Sequence, residues 1–294
     1  MKVGLLMDSS CDISEEEVDK YQLEMLRFPL IIDGKEYQEE HDISLKDFAK
    51  KMREGSQVHT AQNSVGVLSA KFDELLTRYD QILYLPISRH LSGAYETGLK
   101  LAKSEAYANR VFVADTRGVC FTYTLIALQV KQWLKQGISL AEIVTFLDEN
   151  DLQRITLIPE DLQYLKRGGR ISAGAAALAS LLKIYPVLGA IEGEVLAIDK
   201  VRTLKKAHQM MIDYFADYNF ADYYWVMLSA DNDEAALPLY QELRKMTGQP
   251  VLFHQVYPIV MTHCGPGTVG IGCVKRFAQL NFLQKDGFFE IMMT

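Results

Sequence analysis

The sequence predicts an α/β protein of two domains, the first built on a largely parallel sheet flanked by helices, the second on a mixed sheet with helices. Three observations carry this expectation. At 294 residues the chain exceeds the size at which a single hydrophobic core usually stops growing. Up to residue 160, short apolar runs ending in polar residues alternate with helical patterns, the texture of βα units. Beyond Pro159 the texture changes to a glycine pair, an alanine-rich run and a hairpin signal, which places the boundary near residue 160 and the domains at 1–160 and 161–294.

Each element follows from local chemistry. The run "KVGLLMDSS" reads as a buried strand that delivers Asp8, Ser9 and Ser10 at its carboxyl end. A short helix is expected over 14–21 and a strand over 25–32. Ser44 and Asp47 have capping-box spacing and should open a helix through about residue 53. Residues 81–88 and 110–115 repeat the strand pattern, each followed by a helix. Ser139 and Glu142 form another capping box, for a helix to about residue 150, and 154–159 closes the series as a further strand. In the second half, "LQYLKRGGRIS" should end a helix at Gly168 and Gly169 and begin another at Ser172. The small apolar run over 173–182 suits either close helix packing or the wall of a narrow pocket. Glu192 and Gly193 between two apolar runs signal a hairpin. An amphipathic helix over 203–218, a strand at 223–228, a helix over 232–246 and a strand over 250–257 complete the reading.

Composition narrows the function. Hydrophobic residues at 49% and charged residues at 23% are the balance of a soluble globular protein rather than a disordered one. The 31 basic and 38 acidic side chains give a formal charge of -7, so no global positive field gathers nucleic acid or an anionic membrane. Lys200, Arg202, Lys205 and Lys206 form a local basic cluster, read as a solvated helix face or a docking face. Cys11, Cys120, Cys264 and Cys273 contain no C-x-x-C pair and suggest neither a disulfide framework nor a metal site, which fits a reducing cytoplasm. Neither a signal peptide nor a membrane span is expected.

Hydroxyls and amides dominate the four segments expected at strand ends: "MDSS", "TAQNS", "ISRHLSGAY" and "ADTRGV". Loops at the carboxyl ends of strands are where α/β sheets bind ligands. Ser92 is open to three readings: a nucleophile, a polar ligand contact or a helix N-cap. The nucleophile elbow G-x-S-x-G is absent, since Ser92 sits in H-L-S-G-A, and the neighbouring His90 is not a partner by sequence proximity alone. "THCGPGTVGIG" contains G-x-G-x-x-G at Gly265, Gly267 and Gly270, but a dinucleotide fingerprint needs a following helix and an acidic residue about 20 positions on, and only 24 residues remain. A tight turn positioning His263 is the preferred reading, with a satisfied core histidine as the alternative.

Taken together, "MDSSCDIS", "TAQNS", "SRHLSGAYETG", "VFVADTRGV", "LQYLKRGGRIS", "LLKIYPVL", "GEVLAIDKVRTLKKA" and "HCGPGTVGIG", in this order, make the chain resemble the DegV family of bacterial fatty-acid-binding proteins along essentially its whole length. The resemblance implies a DegV-like fold that encloses one long-chain fatty acid between two domains, carboxylate toward the surface and acyl chain in an apolar tunnel. It implies a role as the acyl-carrying subunit of a fatty acid kinase, whose separate ATP-binding subunit phosphorylates the carboxylate for phospholipid synthesis. On that reading the chain has no catalytic centre, no metal and no cofactor besides the bound fatty acid. The family's carboxylate clasp falls on Thr60, Ser92 and His263, and its kinase-docking arginine on Arg202. Ser9, Gln62, Gly93, Gly169, Arg170 and Ser172, within the same motifs, are further candidate ligand-site residues. Asn63, Ala94 and Arg117 depart from the family pattern, and Arg117 sets a cation near the expected binding face. A serine-dependent acyl hydrolase and a lipid-sensing regulatory protein are the alternatives.

Overall fold

The computed structural model describes residues 2–177 and 184–277. In chain order the first half forms β1 (Val3–Asp8), α1 (Glu15–Tyr21), β2 (Glu24–Leu26), β3 (Leu30–Ile32), β4 (Lys35–Tyr37), α2 (Leu45–Arg53), β5 (Val58–Thr60), α3 (Val65–Leu75), β6 (Gln81–Leu85), α4 (Ala94–Ala102), β7 (Val111–Val113), α5 (Cys120–Lys135) and α6 (Leu140–Glu149). Then follow β8 (Gln153–Ile158), α7 (Gln163–Gly168), α8 (Ala173–Ala176), β9 (Tyr185–Ile191), β10 (Glu194–Val201), α9 (Leu204–Asp213), β11 (Tyr223–Ser229), α10 (Asp233–Thr247), β12 (Val251–Gln255), α11 (Pro258–Cys264) and β13 (Val269–Lys275).

The first sheet has the order β2-β1-β6-β7, every pair parallel. Gly4 to Asp8 of β1 are buried, as a strand covered on both faces should be. The caps work as their spacing demands. The Ser14 hydroxyl accepts from Glu17 N while the Glu17 carboxylate accepts from Ser14 N, and Ser139 and Glu142 repeat the arrangement. Ser44 accepts from Asp47 N to start α2, Gly169 ends α7 in the left-handed region at φ 67°, and Ser172 accepts from Ala175 N to start α8.

Three expectations need correction. The strand expected over 25–32 is two strands in different sheets: β2 joins the parallel sheet, whereas β3 pairs antiparallel with β4 and β5 in a small sheet of its own. Pro29 lies between them, and without an N–H it cannot continue a ladder. The strand expected to close the parallel series is β8, which pairs antiparallel with both β9 and β13 in a six-stranded sheet of order β10-β9-β8-β13-β11-β12. Its apolar run carries no mark of which sheet it will enter. The helix expected over 203–218 stops at Asp213. The run over 173–182 is only partly among the described residues, and Ala175 within it is fully buried.

The six-stranded sheet is mixed, with β11 and β12 parallel and the other pairs antiparallel. Glu192 and Gly193 link β9 to β10 with φ of 52° and 81°, the two positive values a type I′ turn requires. Helix α5 joins the two sheets. Twelve of its sixteen residues are buried, so it is apolar nearly all round, and it packs on β1 and on β13. Leu83 and Leu85 of the first sheet and Leu188, Val226 and Leu228 of the second belong to one continuous buried cluster.

Candidate ligand site

The loop carrying Ser92 is held from both halves. Asp8, at the end of β1, accepts from Ile87 N at 2.7 Å and from Ser10 N at 3.1 Å. Its burial pushes the Asp8 carboxyl up to about 6, against the pull of these hydrogen bonds. Ser88 N donates to Gly118 O at 3.0 Å, and the Ser88 hydroxyl donates to Gly193 O at 2.8 Å, so the hairpin turn of the second sheet sits on the loop. A Cβ at Gly193 would lie 2.3 Å from Ser88 Oγ, which leaves room only for glycine.

Thr60 ends β5, Ser92 lies between β6 and α4, Arg170 follows α7, and His263 stands on the last turn of α11. All four line one cavity between the sheets. Its remaining wall is mostly apolar: Ile155, Leu157, Ala190, Val195 and Leu228 from the six-stranded sheet and its hairpin, Phe28, Ile87, Leu91 and Val119 from the other side, and Ile259 and Val260 from α11.

Thr60 Oγ1 and His263 Nε2 are 2.8 Å apart. His263 Nδ1 is buried and has no hydrogen-bond partner among the described residues. Burial first, and the Arg170 charge second, lower the imidazole pKa to about 4, so it is neutral near pH 7. Arg170 Nε donates to Leu91 O at 3.2 Å, and its Nη1 donates to Gly168 O, which ties the end of α7 to the Ser92 loop. A Cβ at Gly168 would lie 2.5 Å from His263 Nδ1, so glycine is what lets α7 approach the ring. Ser92 Oγ accepts from Ala94 N at 3.2 Å, while Gly93 occupies the N-cap position of α4. With an oxygen lone pair used this way, the Ser92 hydroxyl proton is free to donate into the cavity.

The model of the DegV family, described as an uncharacterised protein family, matches residues 2–276. The chain belongs to the DegV family. It is 29% identical over 275 residues to a DegV domain-containing protein of Caldanaerobacter subterraneus subsp. tengcongensis, covering 92% of this chain and 98% of that one. A fatty-acid-binding DegV family protein of Thermus thermophilus superposes with a TM-score of 0.84 at 28% identity, over 94% of this chain and 100% of the other. DegV of Bacillus subtilis, described as a fatty acid binding protein, gives 0.81 at 25% identity, with 94% and 100% covered.

This DegV chain brings Thr60, Gln62, Ser92, Arg170 and His263 to one cavity. Gln62 donates to Thr97 Oγ1 at 3.4 Å, and a Cβ at Gly93 would lie 2.8 Å from Gln62 Oε1. Ser9 is buried elsewhere, its hydroxyl oxygen accepting from Phe28 N at 3.0 Å, and does not line the cavity. Gly169 and Ser172 serve as helix caps and do not line it either. Arg202 is exposed at the start of α9 beside exposed Lys200, Lys205 and Lys206. Arg117 points away from the site. Its guanidinium donates to the carbonyls of Leu147, Asp148 and Asn150, where it caps α6. Asn63 donates to Arg27 O at 2.9 Å, and Ala94 is buried.

Two rival readings lose their geometric basis. Ser92 has no histidine at hydrogen-bond distance among the described residues, and His263 is paired with Thr60 instead. Gly265 and Gly267, at φ 83° and 86°, turn the chain from α11 into strand β13 rather than into a helix, so no dinucleotide fingerprint is formed. Cys120, Cys264 and Thr268 also line the cavity, a contribution with no signal in the sequence beyond their nearness to other motifs. No helix among the described residues is long and apolar enough to cross a membrane.

Proposed function

We propose that this DegV protein binds one long-chain fatty acid, with its carboxylate at Thr60, Ser92 and His263 and its acyl chain in the cavity between the sheets, and presents the carboxylate to a separate ATP-binding kinase subunit. The single observation that carries the reading is a largely apolar cavity whose wall also holds Ser92 and the hydrogen-bonded pair Thr60 and His263. The description of the Thermus thermophilus and Bacillus subtilis relatives as fatty acid binding supports it.

The chemistry is consistent at each step. Burying hydrocarbon contributes about 0.8 kcal/mol per methylene, so the chain supplies affinity and the polar end supplies orientation. Hydroxyl donors and a neutral imidazole hold a carboxylate without the bidentate grip of a guanidinium, which leaves one oxygen exposed. That oxygen attacks the γ-phosphorus of ATP on the partner; the new O–P bond forms as the bond to the β-phosphate oxygen breaks, and ADP leaves with the electron pair. The exposed basic cluster around Arg202 is the docking face for the partner.

Mass spectrometry of lipid extracted from natively purified protein tests the reading. A fatty acid in stoichiometric amount is expected. Folded protein that carries none, and takes up none from palmitate or oleate in titration, overturns it.

A further inference from the structure

A second concavity adjoins the first. It shares Thr60, Arg170 and His263 with the apolar cavity, and its own walls are Ser56, Gln57 and His59 from the approach to and along β5, and Tyr164, Arg167 and Gly168 from α7. Ser92 and the apolar strand residues of the first cavity are absent from its lining, so it is a separate polar cleft that meets the fatty-acid site at the Thr60–His263 pair.

Its charge is unlike that of the molecule. The chain carries a formal -7, yet no carboxylate lines the cleft, while two guanidiniums do. Asp33, close behind, is engaged with Gln57 N at 2.8 Å. Neither Arg167 nor Arg170 makes an ion pair among the described residues. Arg167 is exposed, lies with its guanidinium 4.8 Å from the Tyr164 ring centre, and uses only Nε, toward Gln163 O at 3.4 Å. Both of its Nη groups are therefore without an acceptor among the described residues. His263 Nδ1, buried beside Gly168, is also without a hydrogen-bond partner among the described residues.

The free Nη groups of Arg167, with the unneutralised charge of Arg170 beside them, match the oxygens of a tetrahedral oxyanion, which accepts several donors at once. We propose that this cleft is a subsite for a phosphate-class oxyanion, placed so that a phosphoryl group carried on the fatty acid carboxylate enters it. The second clause rests on the fatty-acid reading above; the anion chemistry of the cleft does not. The same chemistry admits free phosphate, and the two sources are separable by experiment. Arg167 is the residue that reads the cleft alone, because it lines the cleft and not the fatty-acid cavity.

The test uses the full chain and three probes: palmitate, a long-chain 2-oxoalkyl phosphonate as a stable mimic of the acyl phosphate, and inorganic phosphate. In Arg167→Gln the palmitate dissociation constant is expected to stay within twofold and that of the phosphonate to rise about tenfold, the size of one lost charge-assisted hydrogen bond. Broadening of the inorganic phosphate resonance by wild-type protein, lost in Arg167→Gln, would identify free phosphate as an occupant too. The proposal is overturned if Arg167→Gln changes neither the phosphonate constant nor the phosphate signal, or if it weakens palmitate and phosphonate equally, which would make the cleft only the mouth of the carboxylate site. Failure of palmitate to bind wild-type protein sinks the fatty-acid reading instead, and the inorganic phosphate measurement then decides the cleft by itself.

Discussion

Thr60 Oγ1 and His263 Nε2 meet at 2.8 Å across 203 residues of chain. The contact joins β5 of the small antiparallel sheet to α11 and forms the partition between the apolar cavity and the cationic cleft. Its position makes it the first place to perturb.

Thr60→Val keeps the shape of the side chain and removes its hydroxyl. His263 Nε2 is then left unpaired in a largely buried setting, at a cost of about 1–3 kcal/mol divided between stability and affinity. Fatty-acid affinity is expected to fall about tenfold by titration calorimetry, with the fold retained by circular dichroism. Unchanged affinity would make the contact purely structural.

Ser92→Ala removes the cavity-facing donor. The expected loss is about 1.5–3 kcal/mol, one to two orders of magnitude in the fatty-acid dissociation constant. A melting curve run in parallel separates this from any loss due to the Ala94 N–H, which the Ser92 oxygen now satisfies. An unaltered dissociation constant takes Ser92 out of the site.

The ring of His263 should titrate near pH 4 by NMR, well below the usual 6.5, and Arg170→Gln should raise that midpoint by removing the second of its two causes. Because the folded pKa is depressed, the folded protein binds fewer protons than the unfolded chain between these values. The stability this group contributes is complete above about pH 6.5 and is lost as pH falls through 4, by about 3 kcal/mol in all. Asp8, raised to about 6, and Glu39, raised to about 7, have the opposite sign and lose stability as pH rises through those values. The difference between wild type and His263→Gln across pH 4 to 6.5 isolates the histidine. A midpoint near 6.5 would show that neither burial nor Arg170 acts on the ring.

Ala190→Leu adds three carbons to the cavity wall, at a position that is 2% exposed. Overpacking should cost about 1–3 kcal/mol of stability. The fatty acids retained by the purified variant should be shorter than those retained by wild type; an identical chain-length profile would place the acyl chain elsewhere.

Arg202→Glu lies outside the cavity, on the exposed cluster at the start of α9. Stability should change by less than about 0.5 kcal/mol and fatty-acid affinity not at all. ATP-dependent acyl-phosphate formation with an added kinase subunit should fall at least tenfold; full activity would move the docking face away from Arg202.

Where local chemistry decides, the sequence was readable. Ser14, Ser44, Ser139 and Ser172 each start a helix because a hydroxyl satisfies an otherwise unpaired N–H, and Glu192 and Gly193 tolerate the positive φ of a tight turn. Tertiary choices were not readable. Ile155 and Leu157 of β8 would suit either sheet, and the choice was made by β9 and β13, which come later in the chain. Arg117 looked like a cation at the binding face, yet three carbonyls at the end of α6, some thirty residues on, draw it away. Of the site, the hydroxyl-rich loops were recognisable because they follow strands. The cationic cleft was not, since Arg167 and His59 come to line one cleft only when α7 and β5 both pack against α11.

The hairpin of β9 and β10 has one more consequence. Its turn is hydrogen-bonded to the buried Ser88, at the start of the loop that carries Ser92, and its other end runs into Arg202. Eight residues of β10 at about 3.3 Å each make this a ruler on the order of 25 Å long. A protein that docks on Arg202 and also touches the Ser92 loop must match that length, so the hairpin sets a minimum footprint for any partner working at both ends. A small enzyme touching only that loop would gain nothing from the basic cluster.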